Sequence, residues 1–298
     1  MVLEALIGAR KVREKPIIML FYAFIVGSVA IWLSALSFAE DSSILSIAFI
    51  VIATVPLINK IFLLEEIETV SVKESFWERH LDMISLYAWF FIGITLCYSL
   101  WYLVLEGQNY CFGICIKMPH RDIIFKKQKD ALYGIGEIAK QMSGKLTGIK
   151  GGAFQKTLLT ILSNNLIVLL LSIIFSFVYG SGALFLISWN ASVLGIRLGE
   201  FMLNALANYA DLGILKVIAA YLHGLVLGLG YLPHGIFEMP GFFVGAIAGG
   251  IISILLTKER YTKQEFRIVI LDCIMLILLS IILVAIGALI ESYFIVFG

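Results

Sequence analysis

The chain has 298 residues, 60% of them hydrophobic and only 14% charged, with a net charge of +1 and a mean hydropathy of +0.98. So little charge cannot clothe a water-soluble domain of this length, and no basic stripe with interleaved aromatics is present to hold nucleic acid. Apolar runs long enough to cross about 30 Å of hydrocarbon recur along it. The composition implies an all-α, polytopic transmembrane helical bundle.

In chain order, predicted spans lie near 17–38, 44–64, 83–105, 158–179, 183–199, 214–233, 235–256 and 268–296. The fifth is short enough to be tilted or re-entrant, so the count is seven to eight. A basic flank (Arg10, Lys11, Arg13, Lys15) and Ser37-Phe38-Ala39 give the first span the look of a secretory signal. Its apolar stretch is longer than the roughly 7–15 residues of a signal core, so it reads as a retained span. The connections "AEDSS" (39–43) and "GSG" (180–182) fit only tight helical hairpins. Three regions follow: an N-terminal extension with two spans and a polar connector (1–82), a core (83–256), and a C-terminal loop with the last span (257–298).

The longest polar stretch is 106–157. Within it Phe125, Gln128, Leu132, Ile135, Ala139 and Met142 follow a 3-4-3-4 spacing, with Lys126, Lys127, Lys129 and Lys140 off that stripe. The pattern describes an amphipathic helix, lying on a membrane surface or a partner, or packed back on its own bundle. Cys97 and Cys273 fall inside apolar runs, whereas Cys111 and Cys115 sit in this polar stretch. The second pair could bridge on an oxidising side or remain two thiols. The cysteines form no metal framework, and neither metal nor cofactor is expected.

Orientation is contested. The first basic flank favours a cytoplasmic N-terminus in the cell membrane. Eight simple spans would then leave outside the nine Lys and Arg of 106–157 and the four of 257–267. One re-entrant segment between 183 and 256 would return 257–267 to the inside.

Ionisable groups in hydrocarbon cost roughly 2.5–3.5 kcal/mol each on insertion scales, so they need partners or water. Here the candidate intramembrane cluster is Asn164 and Asn165, then Asn190, Arg197 and Glu200, then His223, His234 and Glu238. His234 and Glu238 are four apart and would share a helix face. Pro233 and Pro240 remove backbone donors and Gly235 permits a reversal, so 233–240 reads as a broken or re-entrant helix. Such a break survives only when protein or water encloses it. It could tether two helices, or bind an ion, a proton or a lipid headgroup. Rows at four-residue spacing (Gly195 and Gly199; Gly224 and Gly228; Gly241, Gly245 and Gly249) predict close helix packing, within the chain or in a homodimer.

For catalysis the sequence offers little. It has neither His-Glu-x-x-His nor Gly-x-Ser-x-Gly. Glu65-Glu66 is similar to the acidic pair of intramembrane prenyl-protein proteases but lacks the following Arg. Ser181 suits a tight turn, and Asp272 a helix N-terminus.

"LSNNLIVLLLSIIFSFVYGSGALFLISWNASVLG" followed by "GYLPHGIFEMPG" resembles the stage II sporulation protein M family (DUF95), over about residues 85–256. The two added N-terminal spans and "LLEEIE" resemble its longer archaeal members. The resemblance implies an integral membrane bundle with an extracytoplasmic loop, and in sporulating bacteria a scaffold for peptidoglycan-degrading enzymes. It carries Asn164, Asn165, Asn190, Pro233, His234, Gly235 and Glu238 as a motif set without assigned chemistry. The leading expectation is therefore a non-enzymatic scaffold that docks partners through 106–157 and its glycine faces. The alternative is a transporter or channel-like protein with an intramembrane site at His234 and Glu238, and the least favoured reading is an intramembrane hydrolase using that pair.

Overall fold

The computed structural model describes residues 8–69, 75–134, 150–179, 182–206, 209, 215–230, 235–257 and 263–297. They form α1 (Ala9–Glu14), α2 (Ile18–Ser37), a 3-10 turn at Ala39–Asp41, α3 (Ser42–Thr69) and α4 (Phe76–Val104). A small hairpin follows, β1 (Asn109–Phe112) and β2 (Ile114–Lys117), then α5 (Arg121–Ile124) and α6 over 126–134. The remainder is α7 (Lys150–Tyr179), α8 (Leu184–Leu206), α9 (Lys216–Gly230), α10 (Gly235–Thr257) and α11 (Lys263–Phe297). Six helices, α2, α3, α4, α7, α10 and α11, are each long and apolar enough to cross a membrane. The 23 residues of α8 include Arg197 and Glu200, and α9 has only 15 residues.

Contacts between helices fix their directions. Parallel to α4 runs α8, with Thr95 donating to the Ala191 carbonyl, Gly195 against Tyr98 and Gly199 against Tyr102. Antiparallel to α8, α9 returns with Gly224 against Met202 and Gly228 against Leu198. In turn α10 is antiparallel to α11, with Glu238 against Gly287 and Gly241 against Val284. It is parallel to α7, with Gly245 against Leu169 and Gly249 against Ile173. His80, early in α4, meets Asp272, early in α11, so α10 also opposes α4. Hence α9 and α10 point the same way. Of the expected spans, 183–199 and 214–233 are not among the six helices long and apolar enough to cross a membrane. The end of α10 lies on the face where α2 begins; the hairpin, α5 and α6 lie on the opposite one.

Pro240 does not break the chain as its sequence context suggested. It lies inside the second turn of α10. Its missing N–H and its ring cost about 3 kcal/mol or more in a helix interior. The helix persists because all ten residues from Gly241 to Gly250 are buried among neighbours, so packing outweighs that local cost. Gly235 is the first residue of α10 rather than a reversal within a helix.

Every glycine of the three rows meets another helix of this chain: Gly195 and Gly199 face α4, Gly224 and Gly228 face α8, Gly241 faces α11, and Gly245 and Gly249 face α7. In hydrocarbon no hydrophobic drive joins helices, so such close approaches supply the dispersion contacts that do. Two groups result, α2–α3–α4–α8–α9 and α7–α10–α11. The Phe243 ring on α10 joins them, stacked on Tyr87 at 6.3 Å and tilted against Phe91 at 5.6 Å.

The polar stretch packs back on its own bundle. Ser42 and Ser43 donate to the Ile124 carbonyl, and Gln128 Nε2 donates to the Ser43 carbonyl at 2.9 Å. Phe125 and Gln128 are fully buried, while Lys126 and Lys127 are exposed. Phe125 itself occupies the turn between α5 and α6. Ile135, Ala139 and Met142 lie outside the described residues. Arg121 turns inward to donate to the carbonyls of Tyr102 and Leu103, which end α4 without helical partners. Gly113, at φ 80°, permits the tight hairpin turn, and Cys111 and Cys115 are joined as a disulfide across it.

Candidate functional site

Asn165 stands near the middle of the apolar stretch Phe154–Tyr179, on the buried side of α7. Its Nδ2 donates to Glu238 Oε1 at 2.7 Å, from the first turn of α10. The carboxyl is therefore held near mid-depth, and it is only 6% exposed. Gly287 of α11 makes the space, since a Cβ there would fall on Glu238 Cγ. One turn further along α11, Glu291 is close enough for its charge to act on Glu238. Among the described residues no Lys, Arg or His pairs with Glu238, and no three His, Cys, Asp or Glu gather as a metal site. Chemically this is a buried acid with one neutral donor and a second acid nearby. It can exchange a proton, or hold a cation only with further ligands.

The predicted partner of Glu238, His234, lies outside the described residues, as does Pro233. The other predicted polar residues do not converge here. Asn164 is exposed on α7. Asn190 donates to the Leu186 carbonyl of its own helix at 2.9 Å. Arg197 pairs with Glu200 at 3.1 Å and lies over the Phe201 ring. Glu200 in turn accepts from Tyr133 of α6 at 2.6 Å, tying α8 to the extramembrane layer. His223 contacts the Tyr209 hydroxyl at 2.9 Å.

Sequence reasoning missed Glu291 and Gly287. Their signal is a glycine and an acid four apart in an otherwise apolar helix, the same spacing that was counted in the glycine rows. It also missed the pairing of Asp272 with His80, whose Nε2 lies 3.3 Å from Oδ2 between side chains almost wholly buried. Asp272 had been given only a helix-terminus role.

Outside the apolar spans, one acid titrates in a defined way. The ammonium of Lys129 donates to Asp122 at 2.6 Å and holds that carboxyl below its usual range.

Six helices long and apolar enough to cross a membrane, with a buried acid among them, define a multi-pass integral membrane protein. The chain belongs to the Stage II sporulation protein M family, whose model matches residues 83–294. The match takes in the last helix, beyond the stretch that carried the resemblance. An uncharacterized protein of Methanocaldococcus jannaschii is 33% identical over 137 residues, covering 45% of this chain and 68% of that protein. No solved structure matches.

Proposed function

We propose that this membrane protein passes protons through the bundle by way of Glu238, the second of the three sequence expectations. The observation that carries the reading is the buried carboxyl near mid-depth, bonded to one amide and placed where α9 gives way to α10. Ionisable groups at this depth are costly, and discontinuous helices are a common means of placing them in transporters. The glycine faces, on which partner docking partly depended, are spent within the chain. The carboxyl is closed off in this conformation, so exchange requires the α7–α10–α11 group to move against α4. The test is proton uptake by proteoliposomes, followed with an enclosed pH dye. Glu238→Gln should abolish flux while the protein elutes and melts like the parent. Absence of flux from the parent under any imposed gradient would end the reading.

A second reading, a non-enzymatic scaffold, is favoured by the cap. The disulfide-closed hairpin with α5 and α6 is fastened to the bundle by buried bonds and turns Lys126, Lys127 and Asp130 outward. Photo-crosslinking from Lys126 in the native host would capture one discrete partner; an empty lane would remove this reading. We assign no catalytic residue in either case.

We place the N-terminus in the cytoplasm. Its basic flank then lies inside with the end of α10, and the disulfide falls on the opposite, oxidising side. After reduction with an impermeant phosphine, Cys111 should label in intact cells, and protection would reverse the orientation.

A further inference from the structure

Consecutive residues on a helix point about 100° apart, so Asn164 and Asn165 of α7 cannot face the same neighbour. Asn165 turns inward to Glu238, while Asn164 is exposed. It stands roughly 15 Å along the axis from Phe154, whose ring meets Phe297 at that end of the apolar stretch Phe154–Tyr179. Its amide meets no partner among the described residues. An amide left against hydrocarbon forfeits its hydrogen bonds, because lipid tails offer neither donor nor acceptor. Other outward faces avoid that loss. The exposed residues of α2 run Phe21, Ile25, Val29, Leu33 and Leu36, and those of α11 between 268 and 292 are all Leu, Ile or Met. Asn164 also falls within a repeat. Thr160, Asn164, Ile167, Leu171, Ile174 and Val178 are spaced 4-3-4-3-4, and all are exposed except half-buried Leu171. That is the heptad spacing of a two-helix seam, with Asn164, Leu171 and Val178 at one core position and Thr160, Ile167 and Ile174 at the other. The contacts of α7 with α10, through Asn165, Leu169 and Ser176, lie on its opposite side. Of the six long helices α7 is the least buried, at 17% of its span against 61% for α4 and for α10.

We propose that α7 pairs with α7 of a second copy of this chain, the two helices running parallel along this seam with their Asn164 amides bonded to each other. The occupant follows from chemistry and topology. Two copies inserted the same way meet about a two-fold axis along the membrane normal, which sets α7 parallel to its copy and each seam residue opposite itself. An amide carries both donors and an acceptor, so it is its own complement. In a parallel pair of helices a single core Asn fixes the register and the number of strands. Towards Tyr179, Ile167, Leu171, Ile174 and Val178 supply a branched apolar surface that packs by dispersion. On the other side Thr160 is small, and its hydroxyl is already bonded to the Lys156 carbonyl of its own helix, so it lets the backbones close without a polar cost. A foreign helix would need an amide at the same depth, and lipid has none to offer. The glycine rows take no part, since each faces another helix of its own chain. Nothing in this contact involves Glu238, so the dimer stands or falls apart from proton transfer.

The test uses the full chain in lipid vesicles, oxidised with copper phenanthroline, with single cysteines at Ile167, Leu171 and Ile174 in the seam and at Leu166 and Phe177 on the other exposed flank of α7. The native thiols are silent, Cys97 and Cys273 being buried and Cys111 and Cys115 joined. Seam cysteines should link two copies on the order of tenfold or more faster than Leu166→Cys and Phe177→Cys, because only they come within disulfide reach of their own copy. Asn164→Leu should raise the dissociation constant of the pair on the order of tenfold, read by energy transfer between donor- and acceptor-labelled copies as vesicle lipid is increased. Asn164→Gln keeps the amide and should retain most of the association. Asn164 is exposed, so folding survives the change, and elution and melting check it. Equal linking at seam and flank would overturn the proposal by leaving the face to lipid. Faster linking at Leu166→Cys or Phe177→Cys would overturn it by moving the contact elsewhere. A chain that stays monomeric at every lipid dilution, while Ile167→Cys links a different polypeptide in native membranes, would overturn it by giving the seam to a foreign partner. Unchanged association of Asn164→Leu would overturn the amide pairing.

Discussion

Two carboxyls meet α11 at different depths and are handled in opposite ways. Asp272 itself lies on α11, near the face where α4 starts, and meets His80, a side chain able to carry the compensating charge. Glu238 reaches α11 from α10 near mid-depth, meets an amide on one side, and has a second acid close by. The first arrangement can be satisfied within the protein in its charged form. The second cannot, since an amide donates one hydrogen bond and brings no charge. Breaking a compensated pair leaves a buried group stranded, whereas neutralising an uncompensated acid removes a cost. A structural tie and a working acid can therefore be told apart by stability measurements before any transport is assayed.

The largest effect is expected where the space for Glu238 is closed. Gly287→Leu would drive a side chain into Glu238 Cγ with α7 and α10 already packed around it. Overpacking of this kind costs about 1–3 kcal/mol and occasionally more. Melting in detergent should fall sharply and well beyond the effect of Gly287→Ala. Near-parental melting of the leucine variant would mean the α7–α10–α11 junction is loose and Glu238 not held.

Next comes the direct contrast. Asp272→Leu removes the partner of His80, whose Nδ1 is already buried without one. Leaving that ring unsatisfied should cost about 1–3 kcal/mol. Glu238→Gln keeps an oxygen for Asn165 and sheds the charge, so it should change stability by less than about 1 kcal/mol. Equal losses in the two variants, read by denaturation of the purified proteins, would erase the distinction between tie and working acid.

How much of this was readable beforehand follows the same division between local and distant. Hydropathy and length located the six long spans, because burial in lipid is a property of consecutive residues. Asn165 and Glu238 both stood out as polar residues in apolar runs. Glu238 was matched with His234, which lies outside the described residues, because a sequence exposes neighbours at helical spacing; its bond to Asn165, 73 residues earlier, arises from packing and no spacing announces it. Pro240 misled for a related reason: propensity is local and weak, and the burial that overrides it comes from three other helices. The glycine rows announced close approaches but not which helix approaches. That α9 and α10 share a direction emerged only from their contacts with α8 and α11.

Arg121 extends the contrast to a cation. Almost buried, it donates to the carbonyls of Tyr102 and Leu103 and lies over the Tyr102 ring, at the end of α4 where the helix dipole favours positive charge. Glu106 is 3.4 Å away. Its charge is thus fully used, like that of Asp272. Arg121→Met should cost about 2 kcal/mol, since hydrogen bonds to charged groups contribute about 1.5–3. Proteolysis should then release the cap before the bundle unfolds.

The smallest effect belongs to Asp122 and Lys129, an exposed pair on the outer side of the cap. Surface pairs contribute about 0–1 kcal/mol, so Asp122→Asn should scarcely alter melting at neutral pH. Its value lies in the sign. The carboxyl is held below its ordinary range by the Lys129 hydrogen bond, so it binds a proton less readily folded than unfolded. Its contribution is therefore present above the ordinary aspartate pKa, near 3.9, and is lost as pH falls through the lower folded value. The parent cap should loosen in that acid window, and Asp122→Asn should lose the pH-dependence while keeping the small deficit throughout. Limited proteolysis of the cap across the range, in parent and variant, measures it. A parent whose protection held flat to the lowest pH would mean that the pair is too well solvated to be coupled to folding at all, in contrast to both carboxyls inside the bundle.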